Sequence, residues 1–165
     1  MSLCKNYDKC AVLCYIGEEV KKYIENEEAK ELAEKNMEMC WRFTEGDEID
    51  INDFCMYLDS PDDDGFLYYM DHVETEKDLN ILSILLGVVS YITADAGLAQ
   101  GYSLPQYLEV VDEEYYADVI ADVLKLDLKE CSLVKIEKVK AYCQDQIEKN
   151  SDYIFTAAEI LDCVD

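Results

Sequence analysis

The sequence predicts an all-α protein: a compact bundle of roughly seven to nine helices around a central apolar helix, in a single domain spanning residues 1–165. Three observations carry that expectation. Apolar residues recur three and four positions apart through nearly the whole chain, the spacing of one helix face. No segment alternates apolar and polar residues between hairpin turns, and there are just two prolines and six glycines. Leu79 to Ala99 is apolar on most faces, as a helix covered on several sides must be.

The elements follow in order. Asp8 is placed to cap a first helix carrying Leu13, Ile16, Val20, Tyr23 and Ile24 on one face. A second helix, Glu27 to Phe43, aligns Ala29, Leu32, Ala33, Asn36, Cys40 and Phe43, with Glu28, Glu31, Glu34, Glu38, Lys30 and Lys35 on the solvated side. Thr44 to Asp50, with Gly46, reads as a loop. Asp50 and Asp53 suit the start of a short helix carrying Ile51, Phe54, Tyr57 and Leu58. Ser60-Pro61-Asp62-Asp63 is a further start signal, with serine as cap, proline as first helical residue and two acids at the positive end of the dipole. Gly97 and Gly101 mark the end of the central helix. Ser103 to Gln106 has capping-box spacing for a short helix through Val111. Asp112 caps the next, with Tyr116, Val119, Ile120, Val123 and Leu124 inward. Ser132 opens a helix with Ile136, Val139, Cys143 and Ile147 inward, and Ser151 a last one with Ile154, Phe155, Ala158, Leu161 and Val164.

Charge narrows the function. There are 38 Asp+Glu against 14 Lys+Arg, a formal net charge of −24. Such a chain is not expected to bind nucleic acid, where Lys and Arg must displace counterions, or an anionic membrane. With 50% hydrophobic residues it has the apolar supply of a folded domain and not of a disordered one. The acids are unevenly placed. Thr44 to Asp78 holds 13 against Lys77 alone, a net of −12; Glu109 to Glu130 holds eight against Lys125 and Lys129, a net of −6. Met1 to Phe43 is near balance at −2. A localised field of this kind speeds capture of basic partners at a cost in self-repulsion. Tyr57, Tyr68, Tyr69, Tyr102, Tyr107, Tyr115 and Tyr116 lie in or near the acidic stretches, and tyrosine is enriched at interfaces. The residues expected to meet a partner are Asp47, Glu48, Asp59, Asp62, Asp63, Asp64, Tyr68, Asp71, Glu113 and Glu114. The competing reading is a merely solvated acidic face with most tyrosines in the core.

Tests for site chemistry give little. Ser60 to Asp71 can be laid on a calcium-binding EF-hand loop through Gly65, but serine replaces the first acid and Asp71 replaces the bidentate glutamate. The eight cysteines contain no Cys-x-x-Cys pair and His72 is the sole histidine, so no zinc site or other cofactor is expected. Cys10 and Cys14, among Val12, Leu13 and Ile16, read as core thiols. Scattered thiols without a signal-like segment point to the cytoplasm. No nucleophile has a sequence-visible base, so no enzyme is expected.

Two stretches carry a resemblance. Met39-Cys40-Trp41-Arg42-Phe43 is an aromatic helix end leading into an acidic loop. The central helix is followed by Gly101-Tyr102-Ser103-Leu104-Pro105-Gln106-Tyr107-Leu108-Glu109-Val110-Val111-Asp112-Glu113-Glu114. With the short acidic helices between them, these resemble the sixth immunity-protein family (Imm6) of bacterial polymorphic toxin systems, in element order from about residue 8 to residue 150. The resemblance implies a small cytoplasmic all-α protein that binds and neutralises a cognate toxin domain, one with a basic surface, and it supplies no catalytic residues. The alternatives are an acidic protein that imitates DNA to block a nuclease, and a divalent-cation-binding helical protein.

Overall fold

A computed structural model describes residues 6–58, 62, 64–102, 108 and 111–165. The described residues form eight α-helices and no strand: α1 (Tyr7–Val20), α2 (Glu27–Thr44), α3 (Ile51–Leu58), α4 (Phe66–His72), α5 (Glu76–Ala99), α6 (Glu113–Lys125), α7 (Leu133–Lys149) and α8 (Ala157–Asp162). This is the all-α bundle the periodicity predicts.

α5 is the axis. α1, α2, α3, α4 and α6 all pack on it, and α1 in turn packs on α2, α7 and α8. It is long and apolar enough to cross a membrane by length and composition alone, but 83% of that apolar window is buried inside the molecule. Several of its buried polar side chains are hydrogen-bonded within the protein. The Thr93 hydroxyl donates to the Val89 carbonyl at 2.6 Å. Buried Asp95 accepts from both the backbone N–H and the side-chain amide of Asn6, at 3.0–3.1 Å. At the other end, buried Asp78 accepts the N–H groups of Glu25 and Asn26 at 2.8 and 2.9 Å. Thus Asp95 fixes where α1 begins and Asp78 fixes where α2 begins. Those two contacts also set direction: α2 runs parallel to α5, and α1 antiparallel to both.

Close packing accompanies this. At Gly87 of α5, a Cβ would lie 2.7 Å from Val119 Cγ2 of α6, so only glycine lets the two backbones approach as they do.

Several caps sit where the sequence places them. Asp112 and Ser132 accept the N–H of Tyr115 (3.0 Å) and Lys135 (3.3 Å), each three residues on. Two expectations are corrected. Asp8 lies inside the first turn of α1 and does not cap it; the N-cap is Asn6, whose donors are drawn to Asp95. Ser151 opens no helix. Tyr153 to Thr156 stays extended because the Phe155 N–H donates to the Thr44 carbonyl (3.1 Å) and the Thr44 hydroxyl to the Phe155 carbonyl (3.2 Å). α8 then starts on a full Thr156–Glu159 capping box, leaving Ile154 half exposed instead of inward. The helix starts read at Ser60 and Ser103 lie outside the described residues; the next described helix begins at Phe66.

Seven described cysteines are free thiols, and Cys10, Cys14, Cys40, Cys131 and Cys143 are buried. Burial raises the thiols of Cys10 and Cys14 well above their ordinary range, and the neighbouring Asp95 and Cys40 push the same way.

Candidate functional site

The acids expected to meet a partner divide between the two ends of α5. Its 24 residues set those ends about 36 Å apart at the usual helical rise. Asp64, Tyr68 and Asp71 lie at the N-terminal end, on α4 and just before it. Asp47, Glu48, Glu113 and Glu114 lie at the C-terminal end. Exposed Asp62 occupies a turn before α4, whereas Asp59 and Asp63 lie outside the described residues. Of these residues, Asp64 lines a groove towards one end of α5, and Asp47 and Glu48 line another at the opposite end.

The first groove, about 540 Å³, is lined by Glu28, Glu31, Leu32, Lys35, Met56, Asp64 and Tyr69. Its lysine is already engaged, with Lys35 Nζ 3.4 Å from Glu31. Burial and then the Glu28 carboxylate push the Tyr69 phenol above its ordinary pKa. Tyr68 stacks on His72 with ring centroids 4.1 Å apart and meets Tyr69 edge-on. His72 Nδ1 lies 2.7 Å from the Tyr68 carbonyl, a local contact within α4.

The second groove, about 620 Å³, is formed where α2 and α5 both end. Phe43, Ile49, Ala99 and Tyr102 supply its apolar surface, and Asp47, Glu48 and Asp50 its acids. The loop carrying those acids is pinned. Gln100 Nε2 donates to the Ile49 carbonyl at 2.8 Å, and Asp47 N–H returns to the Arg42 carbonyl at 3.0 Å. Gly46 turns the chain at φ +91°, a conformation that L side chains rarely adopt. Arg42 Nε sits 3.2 Å from Asp47. At the same end of the bundle, Lys9 pairs with Glu113, and its ammonium lies 5.8 Å from the centre of the Tyr116 ring.

The tyrosines separate by burial. Tyr116 belongs to the core, its ring centroid 5.7 Å from that of Tyr91, and burial pushes both phenols well up. Tyr68, Tyr69 and Tyr115 are half-buried, and Tyr102 is 50% exposed. The Tyr57 side chain and Tyr107 are outside what is described. Asp50 and Tyr102 were not among the predicted contacts, although Tyr102 adjoins Gly101 in one of the two stretches carrying the resemblance. Among the described residues, no three His, Cys, Asp or Glu side chains converge as a metal-binding group.

Comparison with known proteins gives one positive result. The model of the family described as immunity protein Imm6 matches residues 8–126, which take in α1 but for its first residue and the helices through α6. No curated protein and no solved structure gives a match. The matched region ends before α7, short of the residue 150 to which the element order had extended the resemblance. With most of its length matched, from the first helix to the last one packed on α5, this chain belongs to the immunity protein Imm6 family.

Proposed function

We propose that this immunity protein neutralises its toxin in the cytoplasm by stoichiometric occlusion, without catalysis of its own. Family membership is the observation that carries this reading, since an immunity protein acts against a toxin. The charge supports a mechanism. A net of −24, with −12 concentrated in residues 44–78, draws in a domain with a basic surface and orients it before contact. Half-exposed tyrosine and aliphatic side chains beside the acids then supply the desolvated area that slows release.

Co-expression with the toxin encoded beside its gene tests the reading. Cells carrying both should survive and cells carrying the toxin alone should die; equal death sinks immunity. In vitro, toxin activity titrated with the purified protein should reach zero at one equivalent. Complete silencing far below equivalence would replace occlusion with a catalytic mode of protection.

A further inference from the structure

We propose that the toxin domain docks in the groove where α2 and α5 end, and that the groove receives a lysine- or arginine-bearing segment of that domain. This rests on the immunity reading above and adds the place and the chemistry of contact. Charge complementarity chooses between the two grooves. Lys35 lines the first and is paired with Glu31. Among the described residues, no Lys or Arg lines the second, and neither Glu48 nor Asp50 forms an ion pair there. Among the described residues, the cation paired with one of its lining acids is Arg42, on Asp47, in an exposed contact that an incoming guanidinium can exchange at little cost.

The groove's apolar part fits the same occupant. Lysine and arginine carry aliphatic stems below their charge, and the partly exposed Ala99 and Tyr102 offer a matching surface over the buried Phe43. The half-exposed Tyr102 ring adds a face for a cation. At about 620 Å³ the cleft lies within the roughly 300–1,000 Å³ of ligand-sized sites. It is also built in advance, since Gly46, Gln100 and the Asp47 N–H fix the loop, so little ordering cost remains for binding. The C-terminal tail borders it. Ile154, 49% exposed, lies over Gly46, with Cγ2 at 3.4 Å from where a Cβ on that glycine would stand. Residues beyond the family match thus add an apolar neighbour to the groove.

The test uses the full-length protein and the catalytically silenced toxin domain encoded beside its gene. Hydrogen-exchange mapping of the wild-type complex should show new protection at residues 43–50 and 98–102. Two variants of equal charge change separate a local contact from the general field. Asp47→Asn, Glu48→Gln and Asp50→Asn together should slow association about tenfold or more at about 20 mM salt. Asp64→Asn, Asp71→Asn and Glu74→Gln together should slow it by about twofold at most. Equal slowing by the two sets, or protection confined to residues 28–35 and 64–71, overturns the groove while leaving immunity intact. Absence of any complex with the wild-type protein overturns the immunity reading and the groove with it.

Discussion

Asp95 shows how one side chain can set the start of a helix. It is buried in α5 and holds the Asn6 backbone N–H, the Asn6 amide and, at 3.7 Å, the Cys10 thiol. Replacing it with alanine removes the acceptor and leaves donors stranded in the interior. Asp95→Ala should therefore lower unfolding free energy by about 3 kcal/mol in urea melts. A loss within about 0.5 kcal/mol would mean that water replaces the carboxylate freely. The sequence marks Asp95 as a polar interruption suited to a buried helix, but its partner is 89 residues away and carries no local signal. For the same reason Asp8 reads as a cap: periodicity sees a helix start, not the distant carboxylate that moves it. Asn36 is the reverse case. Its place on the apolar stripe of α2 predicts burial, and it is fully buried with both amide atoms lacking a partner.

At the scale of elements, the tail is a latch made of hydrogen bonds. Glu159 Oε1 accepts the hydroxyls of Tyr142 (3.0 Å) and Tyr153 (2.6 Å), while Oε2 accepts the Thr156 N–H (3.1 Å) and hydroxyl (3.0 Å). Burial alone would raise the Glu159 carboxyl, but the bonds from Tyr153, Thr156 and Tyr142 outweigh it and hold the pKa below its ordinary value. A lowered folded pKa contributes stability that is complete above the unfolded value of about 4.3. That contribution is lost as pH falls through the lowered folded value. Amide chemical shifts of Phe155 and Ile160 should thus hold steady from neutral pH down through the ordinary carboxylate range and move only below it. Glu159→Gln should give the loosened shifts at every pH; wild-type shifts that already move above the ordinary carboxylate range contradict this account. The helices themselves were largely legible. α2, α3, α6 and α7 lie close to where apolar spacing and capping residues put them, whereas α5 begins at Glu76 on a Thr75 cap, three residues before the Leu79 start that apolar spacing marks. The tail was misread because Ile154, Phe155 and Ala158 fit a helical stripe, whereas a carbonyl at the end of α2 claims the Phe155 N–H.

For the whole molecule, one charge distribution gives two salt effects of opposite sign. Self-repulsion at −24 opposes folding, so screening it should stabilise the protein. The same screening weakens attraction to a basic toxin. Raising salt from about 10 mM to about 500 mM should increase Tm by a few degrees while slowing association with the toxin domain. A Tm that falls with salt would show that the acids are held by favourable pairs. Surface ion pairs such as Lys149–Asp145 and Lys77–Glu25 are present, yet cations are outnumbered nearly three to one. The candidate site was half legible. Linear charge counts located the acidic stretches, and Asp47 and Glu48 do border a groove. Counting along the chain could not show that residues 44–78 run from one end of α5 to the other, which divides the field into two. Nor could it supply the groove's second wall, because Phe43 and Tyr102 are brought to one groove by tertiary packing alone.

The buried thiols have a practical consequence. Cys10 and Cys14 on α1 and Cys40 on α2 are buried where α1 meets α2 and α5, and burial raises the Cys10 and Cys14 thiols well above their ordinary range. A thiol reagent can reach them only when those helices part. Their labelling rate is then a built-in clock for the opening of α1 from the helices it packs on, readable on the native sequence without any probe being introduced. Run with and without bound toxin, the clock would measure how far a partner seated at one end of the bundle steadies its interior.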